Sequence, residues 1–260
     1  MTPLRLEVVT GWADAQLRTA EIPDYPPALN GLQLTNPAGT VTRVAAAVDG
    51  SRRAIEGAVA VGADLLLLHH GLFWGGNQRI VGAYHDRLAL LVRHGVAVYA
   101  SHLPLDLHPS LGNNARLAEQ LGLTPSAGFG RFQTVHVGCQ GATDLETAEL
   151  VARAGAFAAA QGGRVHHSHL EAGRRTRRWA IVTGSGASSD TLREAAAQGI
   201  DTLITGEGPH HTAVEAPELG LVVIYAGHYA TETLGVAALA AAIGQEFGLP
   251  WTFVAAPTGT

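Results

Sequence analysis

Gly62-Ala-Asp-Leu-Leu-Leu-Leu-His-His-Gly71 and Gly199-Ile-Asp-Thr-Leu-Ile-Thr-Gly-Glu-Gly208 follow one pattern: a glycine, an acid, a short apolar run, polar residues, a closing glycine. Each run is bracketed by chain-breaking glycines and is too short for a helix, so it reads as a buried strand. A helical pattern precedes each one, Arg53-Ala-Ile-Glu-Gly-Ala58 in the first copy and Leu192-Arg-Glu-Ala-Ala-Ala197 in the second. Downstream, Tyr99-Ala-Ser-His102 corresponds to Tyr225-Ala-Gly-His228, and each histidine is followed four positions later by a carboxylate, Asp106 or Glu232. Gly112 or Gly235 then leads into a helical stretch closed by Leu121-Gly-Leu123 or Phe247-Gly-Leu249. Two βα units recurring in order read as an internal duplication.

Outward from these segments, Val41–Val48 is a buried strand and Ser51–Val61 a helix with Ala54, Ile55, Ala58 and Val59 on one face. Arg87–Arg93 is helical, Val96–Ala100 a strand, and Asn113–Leu121 a helix. In the second half, Thr147–Ala160 is helical, Trp179–Thr183 is a strand, and a helix opens near Asp190. Strands alternating with helices at this spacing predict α/β layering. At about 150 residues per domain, 260 residues make roughly two. The expected lobes are 1–125 and 126–260, with the boundary between Thr124 and Gly130.

The composition excludes several classes. A net charge of −5 lacks the basic footprint of a nucleic-acid binder. The run Arg174, Arg175, Arg177 and Arg178 reads as a solvated turn. Glu7, Trp12 and Asp14 interrupt the stretch where a signal peptide would need apolar residues, and Gly, Gln, Glu or His breaks every long apolar run. Cys139 is the lone cysteine and has no disulfide partner, which suits a reducing compartment. The expectation is a soluble, cytoplasmic protein without a membrane partner.

Thirteen histidines are the unusual feature, and any metal must be held by nitrogen and oxygen ligands. The carboxyl ends of buried strands are where α/β proteins place binding groups. Here those ends carry His69-His70, then His102 with Asp106, then His228 with Glu232. His69 and His70 lie where the strand ends at Gly71, so their rings can diverge toward two ions about 3.5–4 Å apart. His228 and Glu232 share a face if a helix begins near Tyr229, and Glu232 is the candidate bridging carboxylate. Pro104 between His102 and Asp106 predicts an extended loop there.

His69-His70-Gly71, Ser101-His102-Leu103-Pro104-Leu105-Asp106, Thr205-Gly206-Glu207 and Ala226-Gly227-His228-Tyr229-Ala230-Thr231-Glu232 together resemble the Nif-three-like dinuclear-metal-centre family, whose members are often named homologues of GTP cyclohydrolase I type 2. Asn30-Gly31-Leu32-Gln33 resembles that family's N-terminal segment, with Ala28-Leu29 where an acid usually precedes it. The resemblance covers nearly the whole chain. It implies two interlinked α/β lobes with mixed sheets and a dimetal site in the cleft, completed by the returning segment 200–260. It implies two divalent ions per subunit (Fe, Mn, Zn or Co) on His69, His70, Asp106, His228 and Glu232; His102, by pseudo-symmetry with His228, faces the same cavity, either supporting the ligands or transferring a proton. It also implies a ring-shaped homohexamer.

Other signals are weaker. His166, His167 and His169 read as a surface loop, His210-His211 as cleft-lining, and Asp49-Gly50 as a helix cap. Gly184-Ser-Gly186, between strand and helix, is a weak phosphate-cradle signal. Two functions follow. One is a dinuclear metal-dependent hydrolase acting on a nucleotide-like or other small phosphorylated or cyclic substrate. The other is a metal-binding regulatory or scaffold protein without turnover.

Overall fold

The computed structural model describes residues 3–259. The chain runs β1 (Leu4–Arg5), α1 (Leu6–Leu17), β2 (Gly31–Leu34), β3 (Thr40–Val41), β4 (Val44–Asp49), α2 (Arg52–Ala60), β5 (Leu65–His70), α3 (Gly82–His94), β6 (Ala97–Ala100) and α4 (Leu103–Asp106). It continues with α5 (Asn113–Gln120), β7 (Ala127–Phe132), β8 (Val135–Glu146), α6 (Thr147–Ala160), β9 (His166–His167), β10 (Arg175–Val182) and α7 (Ser189–Ala197). Last come β11 (Thr202–Thr205), α8 (His210–Glu218), β12 (Val222–Tyr225), α9 (His228–Phe247) and β13 (Trp251–Phe253). Among the described residues no helix is long and apolar enough to cross a membrane.

The chain packs as two units. One comprises the residues up to Leu105 with Gly235–Ala256; the other comprises Asp106–Leu234 with the residues from Pro257. The division therefore falls earlier than the Thr124–Gly130 segment. Leu117 of the helix Asn113–Gln120, with Leu121 and Leu123 just after it, packs with Leu150, Trp179 and Ile181, so that helix goes with the second core.

In the first unit the mixed sheet has the order β13-β4-β5-β6-β2. Its first four strands are mutually parallel and β2 is antiparallel on β6. Every residue of β5 is buried, as a central parallel strand covered on both faces requires. Leu66, Leu68, Ala47 and Val98 form one core with Ile55, Ala58 and Leu91. Ser51 starts α2 by accepting from the Ala54 N–H at 3.2 Å, and Gly95 in the left-handed region stops α3.

In the second unit the order is β7-β8-β10-β11-β12-β9, with β10, β11 and β12 parallel. Alternate residues feed two cores. Trp179, Ile181, Ile204 and Ile224 pack with Leu117, Leu150 and Phe157, whereas Ala180, Leu203 and Val223 pack with Leu192, Ala195 and Ala216.

Three local expectations are corrected. Residues 103–106 form one helical turn: Pro104 sits where its missing N–H would have had no intrahelical partner. Arg175 to Arg178 begin β10 rather than a turn, because the Arg177 and Arg178 N–H groups donate to Asp201 Oδ2 and Arg175 pairs with Asp144. His166 and His167 form a short exposed edge strand on Tyr225 and Ile224.

Candidate metal centre

Parallel strands end on the same edge of a sheet, so β4, β5 and β6 deliver Asp49, His69-His70 and Ser101-His102 to one edge of the first unit. The three imidazoles converge: ring centroids are 4.8 Å apart for His69–His70, 5.0 Å for His69–His102 and 5.6 Å for His70–His102. Each offers a nitrogen within 4.8 Å of the others, and all three are buried.

The Nδ1 atoms are engaged. His69 Nδ1 lies 3.0 Å from the Ser101 carbonyl oxygen, which only accepts, so that nitrogen carries the proton and Nε2 carries the in-plane lone pair. His70 Nδ1 lies 2.9 Å from Asp49 Oδ1, and His102 Nδ1 lies 2.8 Å from Asp24 Oδ1. Acceptors on Nδ1 that direct Nε2 outward are how proteins present histidine to a metal. Burial would raise the Asp24 carboxyl pKa, but the hydrogen bond and charge of His102, with Asn30 and the Leu103 N–H, more than offset it and hold it below the ordinary range.

Asn30-Gly31-Leu32-Gln33 holds the loops that carry these groups. Asn30 accepts from the His102 N–H at 2.8 Å and donates to Asp24 at 2.8 Å. Gln33 accepts from the Leu72 N–H at 2.8 Å. A side chain at Gly71 would collide with the Gln33 amide and come within 2.7 Å of the Ala100 Cβ. The acid that Asn30 contacts is Asp24, upstream of Ala28-Leu29.

The second unit repeats the device. α9 begins at His228, whose Nδ1 lies 2.8 Å from Glu207 Oε1 and whose Nε2 lies 3.2 Å from Glu232 Oε2, one turn on. Glu232 is buried at 2% exposure. Burial would lower the His228 pKa, but Glu232 and Glu207 outweigh it and push it up to about 9. Gly184, at φ +64°, packs so closely on Glu232 that a Cβ there would overlap Oε1. This accounts for Gly184-Ser-Gly186 without phosphate: the Gly184 N–H donates to Thr231 Oγ1 and the Gly186 N–H to Thr205 Oγ1. Asp106, also buried, accepts from Asn113 Nδ2 at 2.8 Å.

Thus the structure brings His69, His70 and His102 together in one unit and pairs His228 with Glu232 in the other, with Asp106 in that second unit. His210 and His211 are exposed at the start of α8. Burial pushes the Cys139 thiol up to about 12, leaving it protonated and unsuited to metal. Sequence reasoning passed over Asp24, quoted Glu207 in a motif without a role, and read Asp49 as a cap. Asp49 is not the cap of α2, which is Ser51.

These features define the class: an α/β protein whose two mixed sheets present imidazoles and carboxylates at the carboxyl ends of parallel strands, with donors suited to a divalent metal. Residues 17–258 match the Duf34/NIF3 (NGG1p interacting factor 3) family, and the chain belongs to it. A GTP cyclohydrolase 1 type 2 homolog of Halobacterium salinarum is 43% identical over 252 residues, 96% of this chain and 98% of that one. One from Deinococcus radiodurans is 41% identical over 254 residues, 95% of this chain and 92% of its own. Among solved structures, TTHA1606 from Thermus thermophilus superposes with a TM-score of 0.86 at 37% identity, covering 99% of this chain and 100% of that one. The protein ybgI, of unknown function, gives 0.88 at 33% identity, with 99% and 100% covered.

Proposed function

We propose that the chain is a dinuclear metal-dependent hydrolase acting on a nucleotide-like or other small phosphorylated or cyclic substrate. On this reading His69, His70, Asp106, His228 and Glu232 would hold two divalent ions per subunit, drawn from Fe, Mn, Zn or Co. The observation that carries this reading is the way His69 is held: a carbonyl on Nδ1 fixes the tautomer whose Nε2 suits a cation, and carboxylates on His70 and His228 repeat the arrangement. Internal duplication of the βα units and assembly into a ring-shaped homohexamer belong to the same reading.

When bound, such cations would supply Lewis acidity toward water and toward a phosphoryl or carbonyl oxygen. The chain's own residues do the rest. Asp49 and Glu207 orient His70 and His228. Asp24 holds the His102 ring through Nδ1, so that Nε2 can take up and return a proton. Its ionised carboxylate stabilises the protonated ring during that transfer.

The test is elemental analysis, followed by assay of protein loaded with each metal against GTP and a panel of phosphoesters, with His69→Ala and Glu232→Ala as controls. Metal-dependent turnover lost in both controls is expected. Turnover no higher than in the controls would overturn the reading. One observation favours the second reading, a metal-binding scaffold: the family's description names an interaction rather than a reaction. A partner retained only by metal-loaded protein, without turnover, would select it.

A further inference from the structure

The second unit holds a cavity of about 290 Å³ that the metal ligands do not fill. Arg164, His166 and His210 line it, and Tyr225, Pro209 and Ala213 supply its apolar wall. The Tyr225 ring is fixed by a 2.7 Å hydrogen bond between its hydroxyl and Thr212. Gly206, Gly208 and Gly227 complete the lining beside Glu207, the carboxylate that orients His228. The first turn of α8, beginning at His210, adds a helix N-terminus with its outward N–H groups.

Three nitrogen-bearing side chains lining one cavity with an aromatic ring match a ligand with a compact anionic group and a flat organic body. The one acid in the lining, Glu207, already has an oxygen engaged by the His228 ring. The volume lies at the lower end for ligand pockets, so the organic part is a single ring.

We propose that this cavity binds a small organic phosphomonoester, its phosphate on Arg164, His166 and His210 and its ring against Tyr225. The inference rests on the hydrolase reading only in calling that ligand a substrate; the binding itself needs no metal. Glu207 both lines the cavity and touches His228, so the cavity borders a proposed metal ligand.

Calorimetric titration of chelator-treated, full-length protein tests it, with phenyl phosphate, inorganic phosphate and phenol as probes. Saturable binding of phenyl phosphate is expected, stronger than that of inorganic phosphate and absent for phenol. Arg164→Gln and His210→Gln, at exposed positions, should each weaken it at least tenfold with an unchanged melting temperature, while His69→Ala leaves it intact. No saturable binding, equal binding of phenol, or unchanged affinity in both variants would overturn the proposal. Failure of the hydrolase reading looks different: phenyl phosphate binds, yet metal-loaded protein does not turn it over.

Discussion

The imidazole of His102 and the carboxylate of Asp24 meet at 2.8 Å across 78 residues of sequence, and both side chains are buried. Asp24 also accepts from Asn30 and from the Leu103 N–H. If it orients a proton-transfer group, Asp24→Asn should cut turnover about 10- to 100-fold while metal content stays at the wild-type value. Assay and elemental analysis on the same preparation check this. Loss of metal in proportion to activity would make His102 a ligand instead.

Asp49 and His70 give the contrasting case. Because Asp49 accepts from the Nδ1 of a proposed ligand, Asp49→Asn should weaken metal binding itself, by about 10- to 100-fold. Ser51, not Asp49, caps α2, so the melting temperature of the metal-free variant should stay near wild type. Competition with a fluorescent chelator measures the first effect and calorimetry the second.

These two acids also show what the sequence made legible. The strand at Leu65–His70 and the helices at 52–60, 113–120 and 147–160 followed from apolar runs, periodicity and glycine stops, which are local signals. The candidate histidines were legible because they end or follow strands, and Asp106 and Glu232 because each stands four residues after one of them in the family motif. Asp49 and Glu207 end strands too, and the same rule would have found them. Asp24 was out of reach: it lies before a 3₁₀ turn at Pro26–Ala28, and only folding brings it to His102. The turn at 103–106 was misread because proline was treated as a helix breaker, although it is tolerated in the first turn.

His228 sets a pH dependence. Its folded pKa, about 9, is raised because Glu232 and Glu207 outweigh the lowering effect of burial. In metal-free protein the protonated ring therefore contributes stability that is complete below about pH 6.5 and is lost as pH climbs through about 9. A cation must displace that proton, so apparent metal affinity should run the other way, gaining about tenfold per pH unit up to about pH 9. Chelator competition from pH 6.5 to 9.5 checks the slope. In Glu207→Gln the rise should end at lower pH, and a flat profile would remove His228 from the ligand set.

Gly184 should tolerate no side chain. At φ +64° an alanine costs on the order of 1–3 kcal/mol in backbone strain alone, and its Cβ would push Glu232 away from His228. Gly184→Ala should lower the melting temperature and weaken metal binding at least tenfold. Gly39→Ala, at a comparable φ of +61° with nothing near its Cβ, controls for strain and should leave metal binding unchanged.

Trp74 offers a direct readout of the first half-site. Its ring stands 4.6 Å from that of His102 and 4.9 Å from that of His70, and it is 39% exposed. The other three tryptophans lie elsewhere: Trp179 is fully buried in the second core, Trp12 packs edge-on against Phe247, and Trp251 opens β13 opposite Val44. An open-shell cation such as Co or Mn held by these imidazoles should quench Trp74 emission through its unpaired electrons. Titration of the chelator-treated protein should thus show saturable quenching that Trp74→Phe removes while metal content stays full. His70→Ala should remove the quenching by removing the metal. Quenching that survives Trp74→Phe would place the cation away from His69, His70 and His102, and the ligand assignment in the first unit would fall with it.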